Sequence, residues 1–343
     1  MNDRFLRACR KQPVDTVPVW IMRQAGRYLP EYMEVRRKHD FLTVCKTPEL
    51  AAQVTIQPVA RLGVDAAILF SDILIPVEAM GVPLEFHEGR GPILGRGARD
   101  RSAIEALRVP DPVRDLGFVL DAVRVLRREL AGRVPLIGFS GLPFTLASYI
   151  VEGGKSRDFA ALRSLMQDDP GAFAVLMDKL TDTTVAYAGA QISAGAQAIQ
   201  LFDTWAGILE PEQYRRQVLP HTFRVAQAVR LRRVPVIHFT ADCRRLLPVL
   251  RELPVDVLSI DQRVPLDEAA RLAGPGFVLQ GNLDPEVLLR PAGEVADAAK
   301  EVLERGRQAG GHIFNLGHGI LPRTDPEAAR ALVEAVHRLG RQG

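Results

Sequence analysis

Short apolar segments rich in β-branched residues recur along this chain, and longer stretches with helical spacing of apolar residues separate them. This alternation predicts parallel β-strands joined by helical crossovers. The segments are almost continuously apolar, which is typical of parallel strands covered on both faces. Eight are found: Val17–Trp20, Ala66–Phe70, Leu136–Phe139, Ala198–Phe202, Val236–Phe239, Val257–Ile260, Phe277–Gln280 and Ile313–Leu316. We therefore expect an α/β fold, a single (β/α)8 TIM barrel formed by residues 1–343, with a doubly wound open sheet as the alternative.

Prolines mark the predicted starts of three intervening helices. Pro170, Pro211 and Pro326 each lie in a predicted first turn, where the missing N–H of proline is tolerated. The segment Gly81–Gly97 does not fit the alternation and predicts a hairpin or excursion between the second and third strands. The sequence leaves open whether its Gly89–Gly97 part closes over a ligand.

Composition and charge exclude several classes of protein. The 343 residues are 47% hydrophobic, which is enough for a large buried core. The formal net charge of +3 is far from the strongly basic balance of a nucleic-acid-binding protein. No stretch approaches the roughly 18 apolar residues of a membrane span, and the amino terminus lacks the apolar segment of a signal peptide. We expect neither a nucleic acid nor a membrane as a partner.

The cysteines indicate a reducing compartment. Cys9, Cys45 and Cys243 are far apart and form no C-x-x-C pair. A disulfide framework and a zinc ribbon are therefore not predicted. We expect a cytoplasmic protein.

Polar residues follow most of the predicted strands. In a barrel these positions share the C-terminal rim, where barrel enzymes place their active sites. Residues far apart in sequence would then converge on one mouth, although polar residues also simply begin loops. The residues are Arg23, Arg27, Ser71, Asp72, Ser140, Asp203, Thr204, Thr240, Asp261, Asn282, Asn315 and His318.

Two arginines behind the first predicted strand indicate an anion-binding loop. Arg23 and Arg27 flank Gln24, Ala25 and Gly26. Glycine lets the backbone fold tightly or approach a ligand closely. Two guanidinium groups can bind carboxylates bidentately, and each charge-assisted hydrogen bond contributes about 1.5–3 kcal/mol. A binding loop is therefore favoured over a solvated pair of arginines.

Asp72 is the candidate for electrostatic catalysis. A lone carboxylate within an apolar stretch is costly unless it meets donors or a cation. At about 4 Å and an effective dielectric near 20, it would attract a cationic intermediate by about 4 kcal/mol, or roughly a thousandfold in rate. The alternative is a helix N-cap. Without further context, Tyr149 is best interpreted as a tyrosine of the hydrophobic core. His318 lies between two glycines and is best interpreted as the tip of a loop. Thr204, like its neighbour Asp203, could cap a helix.

Two local patterns resemble a serine nucleophile and a metal site, but neither pattern is complete. The sequence around Ser140 has leucine at position 142, where a nucleophile elbow needs glycine. His238 and Cys243 lack a third metal ligand at a suitable spacing. A core histidine and a structural cysteine are therefore favoured at these positions.

Six blocks of sequence resemble the uroporphyrinogen decarboxylase family. They span nearly the whole chain in the expected order: Pro18–Tyr32, Ile68–Pro76, Gly138–Gly154, Gln197–Gly207, Gln280–Pro285 and Asn315–Pro322. The resemblance implies a (β/α)8 barrel, a homodimer, and an enzyme without cofactor or metal. It implies removal of carbon dioxide from the four acetate side chains of uroporphyrinogen III, giving coproporphyrinogen III in heme biosynthesis.

The resemblance also implies a role for each matching residue. Arg23 through Arg27 would form a substrate-binding loop that grips the substrate carboxylates. Asp72 would hold the central pyrrole N–H groups. Tyr149 and His318 would complete the substrate contacts, together with a hydroxyl behind the fourth strand.

That hydroxyl belongs to Thr204, where many relatives have serine, so the hydroxyl is kept and a methyl group is added. The catalytic residues implied are Asp72, Arg23 and Tyr149. The identity of the proton donor stays open among Arg23, Tyr149 and a carboxyl group of the substrate.

Two other functions fit parts of the sequence. Corrinoid-dependent methyltransferases on the same fold hold zinc with a His-x-Cys pair, but here His238 is followed by Phe239 and Thr240, so the thiolate is missing. A non-catalytic tetrapyrrole-binding protein would need the arginines without the catalytic carboxylate, and Asp72 argues against it.

Overall fold

A curled parallel β-sheet forms the centre of the computed structural model, which describes residues 2–87, 91–95 and 97–341. The strands in chain order are β1 (Ala67–Ile68), β2 (Leu84–His87), β3 (Gly91–Leu94), β4 (Leu136–Gly141), β5 (Ala198–Phe202), β6 (Val236–Thr240), β7 (Val257–Ile260), β8 (Val278–Leu283) and β9 (His312–Leu316). Over the described residues, seven of them pair in parallel in the order β1-β4-β5-β6-β7-β8-β9, and β2 pairs with β3 antiparallel.

Helices connect the strands and cover the sheet. They are α1 (Arg4–Cys9), α2 (Pro30–Lys38), α3 (Phe41–Lys46), α4 (Pro48–Leu62), α5 (Ile75–Ala79), α6 (Arg101–Ala106), α7 (Pro112–Asp115), α8 (Gly117–Glu129), α9 (Pro143–Glu152), α10 (Ala160–Asp168), α11 (Pro170–Ala194), α12 (Pro211–Gln217), α13 (Leu219–Arg230), α14 (Leu247–Leu250), α15 (Leu266–Ala273), α16 (Ala292–Gly306) and α17 (Pro326–Leu339). None of the helices described is long and apolar enough to cross a membrane.

Seven of the eight predicted apolar segments form strands of this sheet. Strands β4, β6, β7 and β8 are buried along their whole length, which explains why their sequences are continuously apolar instead of alternating. The helices predicted to begin at Pro170, Pro211 and Pro326 are confirmed.

The eighth segment, Val17–Trp20, was expected to be a strand and is paired through a single bridge. Val19 bridges Phe314 of β9, whose amide donates to the Pro18 carbonyl at 2.8 Å. On its other side, the Val19 carbonyl accepts from the amide of Asp65 and the Val19 amide donates to the Asp65 carboxylate, both at 2.8 Å. Proline has no N–H to donate and a side chain occupies the Val19 amide, so no regular ladder forms.

A buried polar network crosses the inside of the curl. The Nε2 of Gln280 on β8 donates to Gln200 on β5 at 3.1 Å and to Ser259 on β7 at 2.9 Å, and Trp20 Nε1 donates to Gln280 at 2.8 Å. On a flat sheet β5 and β8 would stand roughly 14 Å apart, three strand spacings. Their side chains meet because the sheet is strongly curled, so side chains fill its interior.

The predicted hairpin is confirmed as the β2–β3 pair. It is joined to the chain after α9: the Leu94 amide donates to the Gly153 carbonyl at 3.0 Å, and Ile93 bridges Gly154. The question of closure over a ligand involves Gly89–Gly97, and residues 88–90 and 96 lie outside the described residues.

The carboxylate of Asp65 links both ends of the chain to the sheet. It is fully buried and pairs with Asn2 Nδ2 at 2.6 Å, the Arg4 guanidinium at 2.7 Å, the Val19 amide at 2.8 Å and His337 Nε2 at 2.7 Å. Burial by itself raises the pKa of Asp65, but the hydrogen bonds, first that of His337, bring it below its ordinary value. The buried charge is tolerated because both of its oxygens are paired.

Replacing Asp65 with asparagine should lower the free energy of unfolding by about 3 kcal/mol at neutral pH, because an amide cannot accept all four bonds. Urea unfolding followed by circular dichroism measures this loss. Because the folded-state pKa is lowered, the contribution of the carboxylate is present above the unfolded value of about 3.9 and is lost as the pH falls through the folded value. The difference between the two proteins should therefore shrink in acid.

Asp15→Asn is the matched control, because Asp15 is an exposed carboxylate that also pairs with Arg4. It should change stability little, since exposed ion pairs contribute little. Equal losses for the two variants would contradict the linking role of Asp65.

Candidate active site

The arginine loop (Arg23–Arg27) has an unusual backbone. The φ angles of Arg23, Gly26 and Arg27 are 63°, 113° and 31°, in the left-handed region that favours glycine. For a residue other than glycine, such a conformation costs on the order of 1–3 kcal/mol and persists only where the surroundings impose it. Both arginines are exposed, and Ala25 between them is half-buried. Tertiary contacts therefore decide the shape of this loop.

Buried amides on either side supply those contacts. Gln24 is fully buried; its Oε1 accepts from the Ile21 amide and its Nε2 donates to the Ala66 carbonyl, both at 2.9 Å. Asn315 of β9 accepts from the Met22 amide at 2.8 Å. The Gln24 side chain thus anchors the loop to the chain before β1, and Asn315 anchors it to β9.

Asp72 lies in the turn between β1 and α5. It is half-buried, and its Oδ1 accepts from the Leu74 amide at 2.9 Å. Burial raises the pKa of Asp72, while the Leu74 amide and the charges of Arg23 and Arg27 oppose that rise. The carboxylate therefore has a structural role in its turn and also interacts electrostatically with both guanidinium groups.

Tyr149 joins the same group of charges from α9. It is buried, and burial together with the Asp72 charge raises the pKa of its hydroxyl, while Arg23 acts in the opposite direction. Its ring centroid lies 6.2 Å from that of Trp205. Trp205 follows Thr204 in the turn after β5, and both are half-buried. The turn that carries Thr204 is therefore packed against Tyr149.

His318 approaches from the loop after β9. The Gly319 amide donates to its Nδ1 at 2.7 Å, so Nδ1 carries no proton and the neutral ring bears its proton on Nε2. Burial, and then the charges of Arg23 and Arg27, lower the pKa of His318 to about 4. At neutral pH the ring is an uncharged hydrogen-bond donor.

Lys155 is a further cation at this site that the sequence did not single out. Burial and the charges of Arg23 and Arg27 lower its pKa, while Asp72 acts in the opposite direction. A Cβ added to Gly91 would lie 3.4 Å from its ammonium group, so the end of the side chain lies beside the first residue of β3. In the sequence, Gly153 and Gly154 directly precede Lys155 and indicate a turn after the helix that carries Tyr149. Three cations therefore act electrostatically on one carboxylate, that of Asp72.

Several polar residues predicted at the rim lie within strands. Ser140, Thr240 and Asn282 belong to β4, β6 and β8, which run further than the apolar segments do. For Asn282 the reason is that its side chain is hydrogen-bonded: Nδ2 donates to the carbonyls of Asp261 and Val264 at 2.8 and 2.6 Å. A polar side chain with such partners does not end a strand.

His238 and Cys243 are both buried, as expected for core residues. Burial lowers the pKa of His238 to about 3. Within residues 2–87, 91–95 and 97–341, no group of three or more His, Cys, Asp or Glu side chains is placed to hold a metal ion.

Comparisons with known proteins assign the chain to a family. The family model described as Uroporphyrinogen decarboxylase (URO-D) matches residues 1–339. The chain belongs to the uroporphyrinogen decarboxylase family. A protein named uroporphyrinogen decarboxylase from Trichlorobacter lovleyi is 52% identical over 342 residues, covering 100% of both chains. Another of that name from Pelobacter propionicus is 54% identical over 341 residues, covering 99% of this chain and 100% of the relative.

The fold of this decarboxylase-family chain is shared with methyltransferases. A methyltransferase from Methanosarcina mazei superposes with a TM-score of 0.84 at 23% identity, covering 98% of each chain. A B12-independent methionine synthase from Shewanella sp. W3-18-1 has a TM-score of 0.58 at 12% identity, covering 95% of this chain and 94% of that one. At these identities the likeness concerns the fold alone, and a fold does not decide chemistry.

Because burial and two nearby cations lower the pKa of His318, we expect its ring to stay neutral over the physiological pH range. In a nuclear magnetic resonance titration, its ring signal, assigned by its loss in His318→Gln, should not move between pH 8 and about 5.5, where ordinary histidines become charged. In Arg23→Ala the pKa should rise, because a repelling cation is removed. Arg216→Ala, which removes an exposed arginine on α12, should leave it unchanged. Ordinary titration of His318 in the unaltered protein would contradict this account.

Proposed function

We propose that this chain catalyses the decarboxylation of the four acetate side chains of uroporphyrinogen III to methyl groups, giving coproporphyrinogen III in heme biosynthesis. It is a carboxy-lyase. The observation that carries this proposal is its identity of 52% and 54%, over essentially the full length, to proteins named for that activity. The geometry of the site supplies a chemical account of the reaction.

The cations of the site suit a substrate that carries eight carboxylates. Arg23, Arg27 and Lys155 act on one another and on Asp72 through their charges. Like charges held together are costly unless an anion joins them, so they favour binding of carboxylates. The two guanidinium forks bind carboxylates bidentately, whereas the ammonium acts as a point charge. Gln24 supports binding indirectly, because its buried side chain fixes the backbone of the loop. Ala25 and Gly26 are the other residues of this proposed substrate-binding loop.

Asp72 stabilises the intermediate. Protonation of the ring carbon next to an acetate side chain makes the pyrrole cationic. The bond between the methylene carbon and the carboxylate then breaks, its electron pair neutralises the ring, and carbon dioxide leaves. A proton added at the methylene carbon, with loss of the ring proton, completes the methyl group. The protonated ring is the electron sink, so we propose that no cofactor is needed, and the Asp72 carboxylate stabilises the ring cation.

The remaining site residues are proposed as substrate contacts. The raised pKa of Tyr149 keeps its hydroxyl protonated, so it donates a hydrogen bond near Asp72. His318 offers its Nε2–H as a neutral donor, and Thr204 offers a hydroxyl from the turn after β5. Arg23 and Tyr149 are the protein groups proposed to act with Asp72 in catalysis.

We also propose that the curled sheet closes into a single-domain (β/α)8 barrel of residues 1–343. Support comes from the Val17–Trp20 segment, which bonds to β9 on one side and to Asp65, just before β1, on the other. We further propose a homodimer, as the family resemblance implies, located in the cytoplasm and without a nucleic-acid partner. The three cysteines are free and buried, which suits a reducing compartment.

The activity is tested by incubating the purified protein with uroporphyrinogen III without oxygen and without added metal or cofactor. Chromatography of the oxidised products should show seven-, six-, five- and four-carboxyl porphyrins appearing in turn. If a folded protein leaves only the eight-carboxyl species, the proposed function is wrong. Retained binding of that species would then indicate a tetrapyrrole-binding protein.

Asp72→Asn should lose most of the turnover while the protein stays folded, because the amide keeps the turn and removes the charge that stabilises the ring cation. A loss of roughly a thousandfold in kcat is expected from an interaction of about 4 kcal/mol. Turnover near that of the unaltered protein would contradict the electrostatic role of Asp72.

Gly319→Ala should displace Arg23, because an added Cβ would lie 2.5 Å from its Cδ atom. We expect kcat/KM to fall about tenfold through misplacement of the guanidinium, with little change in melting temperature, since a flexible side chain can move. Gly293→Ala is the matched control, because its Cβ would meet no described atom within 4 Å. Equal kcat/KM in the two variants would remove Arg23 from the site.

A further inference from the structure

A buried carboxyl group that the proposed reaction does not use lies beside the site. Asp203 follows β5 and is fully buried. Its Oδ1 accepts from the hydroxyl of Thr145 at 3.1 Å, and its amide donates to the Phe239 carbonyl of β6 at 2.8 Å. Its Oδ2 is enclosed without a hydrogen-bond partner among the residues that the structure describes. Asp203 therefore cannot touch a substrate, but it is firmly attached to its neighbours.

Thr145 connects Asp203 to two elements of the site. It is fully buried on α9, four residues before Tyr149, so the two side chains share one face of the helix. Its hydroxyl oxygen also accepts from the amide of Trp205 at 3.2 Å. The Trp205 ring in turn packs against Tyr149. One hydroxyl thus joins the helix of Tyr149 to the turn that carries Thr204.

We propose that Asp203 and Thr145 form a positioning pair that sets the placement of Tyr149 relative to Thr204 across the site. The inference rests on the proposed function, because it assigns to the pair an effect on turnover of the same substrate. Each of the two linked side chains comes from a different element, so without the pair α9 and the turn after β5 can shift independently. Displacements of about 1 Å in a site can cost up to roughly a hundredfold in rate.

The surroundings favour an uncharged Asp203. Burial raises the pKa of Asp203 to about 7, and the hydrogen bond of Thr145 only partly offsets this. The titratable group facing it is Tyr214 of α12, whose own pKa is raised by burial and by the Asp203 charge. α9 presents Thr145 and β6 presents Phe239, which are uncharged. A neutral carboxyl group still accepts the Thr145 hydrogen bond, so the pair does not need a charge.

The first test is Thr145→Val, which keeps the shape of the side chain and removes the hydroxyl. We expect kcat to fall about tenfold with little change in KM, and Thr145→Ser to restore it. Thr183→Val is the matched control: Thr183 is a buried threonine on α11 whose hydroxyl donates to the carbonyl of Lys179 in its own helix at 2.8 Å. If Thr145→Val keeps the kcat of this control, the pair has no positioning role.

The second test needs no enzyme assay and remains available if the valine variant does not fold. Asp203→Asn keeps the acceptor and removes the titration. Because the folded-state pKa lies above the unfolded value of about 3.9, the unaltered protein should lose stability as the pH rises from about 4 to about 7, and the asparagine variant should not. The melting temperature of Asp203→Asn should therefore rise relative to that of the unaltered protein as the pH increases over this range.

A melting-temperature difference that does not change with pH, or one that increasingly favours the unaltered protein at higher pH, would show that Asp203 is not held uncharged beside Thr145.

The proposed function and the positioning pair can be disproved separately. If the unaltered protein does not decarboxylate uroporphyrinogen III, the proposed function is wrong. If it does, and Thr145→Val matches Thr183→Val, only the positioning pair is wrong.

Discussion

The buried carboxylate of Asp65 is the interaction on which the position of the site depends. It binds the amino-terminal segment, the Val19 backbone and His337 of α17 at once. Val19 is also bridged to β9, and the arginine loop begins four residues later. A charge enclosed in protein must have its partners in place, so this one anion brings distant parts of the chain into register. The arginine loop is supported by that register.

The site combines a strained loop with an excess of positive charge. The left-handed backbone at Arg23 and Arg27 and the mutual repulsion of the cations both make the free site less favourable. Buried bonds of Gln24 and Asn315 hold the backbone, and Asp72 offsets part of the charge. A polycarboxylate substrate would relieve the remainder. Folding therefore offsets only part of the free-energy cost of the strained, positively charged site.

The fold was largely predictable because burial leaves a direct mark on sequence. Strands covered on both faces must be apolar throughout, so seven of the eight expected strands were located correctly. Val17–Trp20 failed as a strand for reasons that its apolar character does not reveal: Pro18 lacks an N–H, and the carboxylate of a distant residue takes the Val19 amide. Ser140, Thr240 and Asn282 were placed beyond their strands because a polar side chain resembles the start of a loop, and the partners that keep Asn282 in β8, the carbonyls of Asp261 and Val264, come from another segment.

The sequence by itself determined the α/β alternation, the family, and the residue types that can hold carboxylates and stabilise a cation. Those properties depend on local apolar patterns and on side-chain chemistry. Only the tertiary structure decided that Lys155 joins the arginines, that His318 is neutral, and that Asp203 is enclosed against Thr145. The physical reason is that the charge state and the partners of a side chain depend on burial and on groups brought close by folding, and neither is written in its neighbours along the chain.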